Sequence, residues 1–338
     1  MINPIIISIN STKLSFSEKK NICKYKPYGV ILFSKNISNF TQLKNLIKSI
    51  KYQCKKTLIL IDQEGGIVNR FKDFPEFHFQ DNYDYYKIYL KKPSLAKQLV
   101  YLKSFITSYY LKNLGININT IPVLDLPTHN TISMIKKRTF GPNLNINYLL
   151  NDILINVLDL FGIIPVVKHI PGHGVTNKDS HLSLPISKSS EKILKNHTFL
   201  FKKFNYLPLA MTAHIKYLNW DSKNIATFSP YVIKKIIRKD IKFKGLLMSD
   251  DLMMKANVYD ISKTISLSNK AGIDIMLDCS SDWARYIKII NNFNITKNFK
   301  RLSNLYFSNQ NEVKINYKSI NINHYHHLYN ELIKMHGI

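Results

Sequence analysis

A dense run of titratable and turn-forming residues occupies positions 168–185, which read KHIPGHGVTNKDSHLSLP. Within it, Asp179 stands two residues before His181, on a segment that also holds Gly172 and Gly174. A carboxylate at that spacing can orient an imidazole ring and raise its pKa, so the pair has the chemistry for proton transfer near neutral pH. The competing interpretation is a surface loop in which the pair is incidental.

The start of the same run follows a short apolar stretch, residues 163–167, which has the composition of a buried strand. We therefore expect Lys168 and His169 at the exit of that strand, with the rest of the run in a loop. His169 and His173 have a spacing that suits metal binding on a helix. The proline and the glycine between them disfavour a helix, so we predict no metal and no cofactor.

Two adjacent carboxylates, Asp250 and Asp251, follow the apolar segment 244–249. Successive side chains of a strand point to opposite faces, so only one of the two can face a site at the end of that strand. Asp250 directly follows the segment and is the candidate functional residue. The alternative is that both carboxylates cap a helix that begins near Leu252.

A third group of chemically active residues is the sequence DQEGGIVNR at positions 62–70. Its two adjacent glycines permit a tight turn, after which the Asp62 carboxylate and the Arg70 guanidinium can both reach a polyhydroxylated ligand. The sequence matches neither the phosphate-binding loop nor the dinucleotide-binding fingerprint. An ordinary helix start with Asp62 as its cap is the alternative.

These groups need a scaffold that brings strand ends together, and the hydrophobic pattern predicts one. Short β-rich segments alternate with helical ones, and the predicted strands span residues 4–9, 29–33, 57–61, 118–123, 163–167, 207–212, 244–249 and 273–277. Apolar residues keep the helical period over 146–161, and Gly162 can end that helix. The pattern predicts a single α/β domain of the (β/α)8 TIM-barrel type, in which the residues after the strands converge on one rim. We place the catalytic barrel at residues 1–290 and a C-terminal extension packed on it at 291–338.

Composition limits the class of protein. The 338 residues carry 48 Lys and Arg against 22 Asp and Glu, a formal net charge of +26. Such a charge is typical of nucleic-acid-binding proteins, but Lys, Asn, Ile and Tyr are abundant throughout and no concentrated arginine tract occurs. We therefore expect a small-molecule substrate, and neither nucleic acid nor a membrane as partner. The three cysteines indicate no disulfide framework, no segment reads as a signal peptide, and we expect a cytoplasmic protein.

Taken together, these motifs resemble glycoside hydrolase family 3, and within it the single-domain bacterial β-N-acetylglucosaminidases of cell-wall recycling. KHIPGHG followed by DSH and LP, DQEGGIVNR, and SDDLMM at 249–254 match the family's patterns. GVILFSKN, PVLDL, MTAHI and AGIDIML occur in the matching order. The resemblance covers residues 1–290, and the DSH loop is specific to this branch.

The resemblance implies retaining hydrolysis of a terminal β-N-acetylglucosamine, with 1,6-anhydromuramoyl muropeptides of peptidoglycan recycling as the expected substrate. Asp250 would be the nucleophile that forms a covalent glycosyl-enzyme, and His181, oriented by Asp179, would be the proton donor and acceptor. A histidine in that role departs from the usual pair of carboxylates. The residues implied to bind the terminal sugar are Asp62, Arg70, Arg138, Lys168 and His169.

Several positions depart from the family pattern. Residues 135–137, Ile-Lys-Lys, precede Arg138 where the family usually has a glycine and an acidic residue, and Lys35 and Ile67 replace family arginines. Three alternatives stay open: a β-glucosidase or β-xylosidase of the same family, a basic nucleic-acid-binding protein, and an inactive relative. The sequence also leaves open water or phosphate as the second acceptor. A monomer or a weak homodimer is expected.

Overall fold

A parallel barrel forms the centre of the computed structural model, which describes residues 2–180, 182–308 and 313–338. The strands within these residues are β1 (Asn3–Ser8), β2 (Pro27–Leu32), β3 (Leu58–Ile61), β4 (Ile118–Asn119), β5 (Ile164–Ile170), β6 (Ile186–Ser187), β7 (Leu209–Thr212), β8 (Lys216–Tyr217), β9 (Leu246–Met248) and β10 (Met276–Asp278). All except the short pair β6 and β8 belong to one sheet, in which β1 pairs with both β2 and β10. A parallel bridge between Met248 and Ile275 closes the ring. The predicted (β/α)8 barrel is confirmed.

Helices surround the barrel and connect its strands, as parallel strands require. They are α1 (Phe16–Tyr25), α2 (Phe40–Gln53), α3 (Asn82–Lys91), α4 (Pro93–Leu114), α5 (Ser133–Lys137), α6 (Leu144–Leu160), α7 (Glu191–His197), α8 (Phe199–Lys203), α9 (Ile261–Ala271), α10 (Trp283–Asn292), α11 (Lys297–Ser308) and α12 (Ile322–His336), with a π-helix at Val232–Asp240. The helix predicted over 146–161 is α6. Asn143 caps its first turn, and Gly162 follows its end with a φ of 61°.

Strand side chains fill the space on both faces of the barrel wall. One set packs inside the barrel and includes Ile6, Leu58, Leu60, Val166, Leu209, Met211, Leu246 and Met248. The alternate set packs outward against the helices and includes Ile5, Ile7, Ile59, Ile61, Val167, Ala210 and Leu247. Because side chains fill the interior, a ligand site of this fold must lie at an end of the barrel.

Each predicted strand is present, with ends that differ from the prediction by up to four residues, and two of the differences lie near the carboxyl rim. β5 continues to Ile170, so Lys168 and His169 lie within the strand, and the prediction that they follow its exit is wrong by a few residues. The prediction ended the strand at the last residue of the apolar run, so it missed the two polar residues that continue the strand. The strand predicted over 118–123 is regular only to Asn119, and beyond it Val123 forms an isolated parallel bridge with Lys168.

The residues after β10 pack on the barrel in two places. The ring of Phe299 in α11 meets Tyr28 at the start of β2, with centroids 5.5 Å apart. Tyr325 of α12 stacks on Phe105 of α4, with centroids 4.2 Å apart. The division of the chain at residue 290 stays a prediction. No helix in the described part of the chain combines the length and the apolar character needed to cross a membrane.

Candidate active site

The candidate residues lie where the barrel strands end. Asp62 follows β3, Lys168 and His169 belong to the last part of β5, and Asp250 comes two residues after β9. Parallel strands of a barrel end on the same rim, which is where barrel enzymes hold their active sites. The fold therefore gathers side chains from distant parts of the sequence.

Asp62 is the first acidic centre of the site. Its Oδ1 accepts hydrogen bonds from Lys168 Nζ at 2.6 Å and from Thr120 Oγ1 at 2.9 Å, and its Oδ2 accepts one from Arg70 at 3.0 Å. Burial would raise the pKa of this carboxyl, but the charges of Lys168, Arg70 and Arg138 outweigh burial and hold the pKa well below its usual range. Asp62 is therefore a carboxylate at any working pH.

Glu64 is the second acidic centre, and its side chain is fully buried. Arg138 donates to both of its oxygens, from Nε at 2.9 Å and from a terminal nitrogen at 2.7 Å, and Lys168 Nζ lies 2.6 Å from Oε1. Burial would lower the pKa of Arg138, but the attraction of Glu64 raises it, and the two-point contact fixes the plane of the guanidinium. We call Asp62, Glu64, Arg70, Arg138 and Lys168 the ion cluster.

The segment between Asp62 and Arg70 forms a tight turn rather than the start of a helix. Gly65 and Gly66 have φ angles of 77° and 60°, in the left-handed region that glycine adopts without strain. Gln63 Oε1 accepts a hydrogen bond from the Arg70 amide at 2.8 Å, which ties the end of the turn to its start. The turn thus carries both acidic centres of the ion cluster and one of its cations.

A buried carboxylate orients His169. Its Nδ1 lies 2.7 Å from Asp125 Oδ2, and its Nε2 lies 3.4 Å from a guanidinium nitrogen of Arg138. Since arginine can only donate, the hydrogen-bond pattern assigns the ring proton to Nδ1. Burial would raise the pKa of Asp125, but its contacts with His169 and His173 lower the pKa below its usual range.

The loop after β5, residues 171–185, is held close to the neighbouring segment of the rim. A Cβ atom on Gly174 would stand 1.9 Å from the carbonyl oxygen of Leu126, so no larger residue fits without a shift of the backbone. Thr131 Oγ1 donates to the Gly174 carbonyl at 2.5 Å. The first half of the loop is thereby fixed against the chain that follows β4.

The second half of the loop carries the predicted proton-transfer pair. Asp179 is half-buried, while His181 lies outside the described residues. Between them, Ser180 is buried, with its Oγ 3.4 Å from His173 Nε2 and its carbonyl accepting a hydrogen bond from the Ala256 amide at 3.1 Å. Ser180 thus connects this part of the loop to His173 and to the segment that follows Asp250.

The two carboxylates after β9 have different surroundings. Asp251 Oδ1 accepts hydrogen bonds from the amides of Met253 and Cys279, each at 3.0 Å, and burial raises the pKa of Asp251. Asp250 is half-buried, and its Oδ1 accepts a hydrogen bond from the Asp251 amide at 2.8 Å. Asp251 ties the segment after β9 to the end of β10, and Asp250 lies at the rim.

The structure brings the five predicted sugar-binding residues together, in two contacting groups that Glu64 joins; the five are Asp62, Arg70, Arg138, Lys168 and His169. The predictions missed Glu64 and Asp125, which hold them. A signal for Glu64 was present, because three cations were assigned to a site with Asp62 as its carboxylate, and buried charges need partners. Asp125 had a weaker signal: it follows β4, as the other acidic residues of the rim follow their strands.

A packed (β/α)8 barrel with carboxylates on its carboxyl rim is an architecture that glycosidases share with many other enzymes. The sequence profile described as "Glycosyl hydrolase family 3 N terminal domain" matches residues 6–303. The chain belongs to glycosyl hydrolase family 3.

Two named relatives and one solved structure show what the chain is similar to within this family. It is 31% identical over 303 residues to the β-hexosaminidase of Psychromonas ingrahamii, covering 86% of this chain and 87% of that protein. It is also 31% identical to the β-hexosaminidase of Actinobacillus pleuropneumoniae, over 82% of this chain and 81% of the other. The crystal structure of NagZ from Neisseria gonorrhoeae in complex with N-trifluoroacetyl-D-glucosamine superposes with a TM-score of 0.86 at 28% identity, covering 98% of both chains.

Proposed function

We propose that this enzyme removes a non-reducing terminal β-N-acetylglucosamine from its substrate. The observation that carries the proposal is the ion cluster, in which buried carboxylates and cations hold one another at the barrel rim. Carboxylates accept and cations donate the hydrogen bonds that sugar hydroxyls make. The β-hexosaminidase relatives support the choice of sugar, as does the complex of the similar NagZ with N-trifluoroacetyl-D-glucosamine.

The proposed chemistry is a retaining double displacement. Asp250 attacks the anomeric carbon and forms a covalent glycosyl-enzyme while His181, oriented by Asp179, protonates the departing oxygen. His181 then takes the proton from an incoming water, which displaces Asp250 with a second inversion. One group performs both proton transfers because it is left as a base by the first step and is needed as a base in the second.

In this proposal the terminal sugar binds against Asp62, Arg70, Arg138, Lys168 and His169. The mutual pairing of these groups supports that role, since partners that are already oriented need little rearrangement when the sugar enters. His169 Nε2 is an acceptor, and it lies beside the Arg138 guanidinium, which is a donor. A hydrogen-bond donor and an acceptor thus lie side by side, and in the proposal the sugar hydroxyls replace the long 3.4 Å contact between them.

For the physiological substrate we propose GlcNAc-1,6-anhydromuramoyl muropeptides, hydrolysed in the cytoplasm during peptidoglycan recycling. The resemblance of the sequence motifs to the single-domain β-N-acetylglucosaminidases of cell-wall recycling supports this choice. Incubating the enzyme with such a muropeptide and analysing the mixture by liquid chromatography and mass spectrometry tests it. Release of free N-acetylglucosamine and the anhydromuramoyl peptide is expected, and an unchanged muropeptide would contradict this substrate.

The choice of sugar is tested by comparing 4-nitrophenyl glycosides. Release of 4-nitrophenol from the β-N-acetylglucosaminide is expected to exceed release from the β-glucoside and the β-xyloside by about 100-fold or more in kcat/KM, since a site built to hydrogen-bond a substituent rejects analogues that lack it. Proton NMR of the first product should show the β-anomer, as retention requires. Equal turnover of the β-glucoside, or an α-anomer as first product, would contradict the proposal.

A further inference from the structure

A buried lysine outside the ion cluster lies beneath it. Lys103 of α4 is 4% exposed. Burial of an ammonium group is unfavourable, and here it lowers the pKa of Lys103 to about 8, against the attraction of Glu64 and Asp81. Buried charges need partners, and Lys103 makes two contacts that lead to the ion cluster.

The first contact leads to Arg138. Lys103 Nζ donates to Asn82 Oδ1 at 2.6 Å, and Asn82 Nδ2 donates to the main-chain carbonyl of Arg138 at 2.9 Å. An amide side chain has its acceptor and its donors at opposite ends. With Lys103 on the oxygen, the nitrogen of Asn82 must face Arg138, so the ammonium group selects the amide orientation that holds the arginine backbone.

The second contact leads to Glu64. A Cβ atom on Gly65 would stand 2.7 Å from Lys103 Cε and 3.0 Å from Nζ, so the end of the lysine lies directly against the turn that carries Glu64. The face of the Tyr85 ring covers the ammonium group from α3, with Nζ 5.2 Å from the ring centroid. Lys103 is thereby confined between α3 and the turn.

We propose that Lys103 is a positioning residue for sugar binding. It acts on Arg138 through Asn82 and on Glu64 through the turn at Gly65, and it does not itself touch the substrate. The inference rests on the proposed function, because it assigns Lys103 a role in presenting Arg138 to the terminal sugar.

The role predicts a dependence on the charge of Lys103. The groups that face its ammonium are Glu64 and Asp81 from the loops and Tyr85 from α3. Tyr85 stays a neutral phenol, since burial raises its pKa well above the usual value. As pH rises through about 8, Lys103 loses its proton, its bond to Asn82 weakens, and the KM for the β-N-acetylglucosaminide is expected to rise.

The test compares two lysine-to-methionine variants of the same helix. Lys103→Met keeps the length of the side chain and removes the charge, and Lys112→Met makes the same change at a half-buried lysine in the last turn of α4. We expect Lys103→Met to raise KM by about tenfold or more with kcat within threefold, and to remove the rise of KM near pH 8. Lys112→Met should match the wild-type enzyme in KM, kcat and pH profile.

A second variant keeps the test decisive if Lys103→Met does not fold. Asn82→Asp still accepts a hydrogen bond from Lys103 but cannot donate to Arg138, so KM should rise as in Lys103→Met. A folded variant of either kind with a KM within twofold of wild type would overturn the inference and leave the proposed function intact. A wild-type protein that neither hydrolyses the glycoside nor binds N-acetylglucosamine in an NMR titration would remove both.

Discussion

The ion cluster and the loop at 171–185 occupy the same rim but are built differently. Members of the ion cluster come from β5, the turn after β3 and the end of α5, and its two carboxylates are each bound by more than one cation. The loop is instead held by a close approach at Gly174 and by hydrogen bonds to its main chain, among them those accepted by the Gly172, Gly174 and Ser180 carbonyls. In the proposed mechanism the two regions divide the work: the ion cluster, which we call the rigid side, binds the sugar, and the loop at 171–185, which we call the loop side, carries the proton-transfer pair.

The largest expected effect is a loss of kcat at the proposed nucleophile, with sugar binding retained. Asp250→Asn should lower kcat by at least about 10⁴-fold with little change in KM, because it removes the proposed nucleophile and leaves the ion cluster intact. The kinetics of 4-nitrophenyl β-N-acetylglucosaminide hydrolysis measure this. Asp251→Asn is the matched control and should act on thermal stability more than on kcat. If Asp251→Asn lowered kcat more than Asp250→Asn, Asp251 and not Asp250 would be the nucleophile.

Glu64→Gln removes one of the two carboxylate charges of the rigid side. The change leaves Arg138 and Lys168 without their shared buried carboxylate, so the free energy of unfolding should fall by about 3–5 kcal/mol, and KM should rise. Urea unfolding gives the free energy. Glu18→Gln, at a buried glutamate in the capping box of α1, should cost about 1 kcal/mol and leave KM unchanged. Equal effects of the two substitutions would show that the ion cluster has no special role.

The two sides should also differ in their response to acid. Burial lowers the pKa of His173 to about 4, and does the same for His197, which packs beneath the loop at Gly172. Between pH 6.5 and 4 the unfolded chain binds protons at these histidines and the folded protein does not. As the pH decreases through this range, the free energy of unfolding therefore decreases by on the order of 3 kcal/mol for each histidine.

Urea unfolding from pH 7 to 4.5 measures that fall, and His197→Leu should make it shallower. The carboxylates of the rigid side act at lower pH. The pKa values of Asp62 and Asp125 are lowered in the folded protein, so their stabilisation is fully present above about pH 4 and is lost only as pH falls further. A stability that stays constant from pH 7 to 4.5 would contradict the burial of neutral histidines under the loop.

The smallest expected effect concerns the loop side alone. Gly174→Ala places a methyl group against the Leu126 carbonyl, so the loop must shift, at a cost of about 1–3 kcal/mol in stability. We expect kcat to fall more than KM changes, since the loop carries Asp179 and His181. In Gly272→Ala the new methyl group meets nothing within 4 Å, so its cost in stability comes only from the left-handed φ of 92°, and kcat should stay at the wild-type value. A Gly174→Ala enzyme with full kcat would weaken the division of work.

The barrel could be predicted from the sequence because its strands are short, apolar and separated by clear helical periods. The prediction weakened where polar residues continue a strand. β5 runs through Lys168 and His169, which no apolar pattern could indicate. The pair β6 and β8 has two residues in each strand, too few for a pattern to register.

The residues of the site were largely visible in the sequence, but the contacts among them were not. Asp62 and Lys168 stood out by type and by position after a strand, yet their direct pairing at 2.6 Å depends on the register between β3, β4 and β5. Lys103 had no signal, because a lysine in a long helix is usually exposed. Its burial follows from the way α3 and α4 pack beneath the turn at Gly65.

The proposed mechanism requires that Asp250 becomes covalently bonded to the sugar. Incubation with a 5-fluoro derivative of N-acetylglucosaminyl fluoride should slow the second step and accumulate the glycosyl-enzyme, and digestion followed by mass spectrometry locates the adduct. We predict a modified peptide that carries the sugar on Asp250, and no such peptide from Asp250→Asn. An adduct on another carboxylate, or rapid turnover with no adduct at any reagent concentration, would contradict the account.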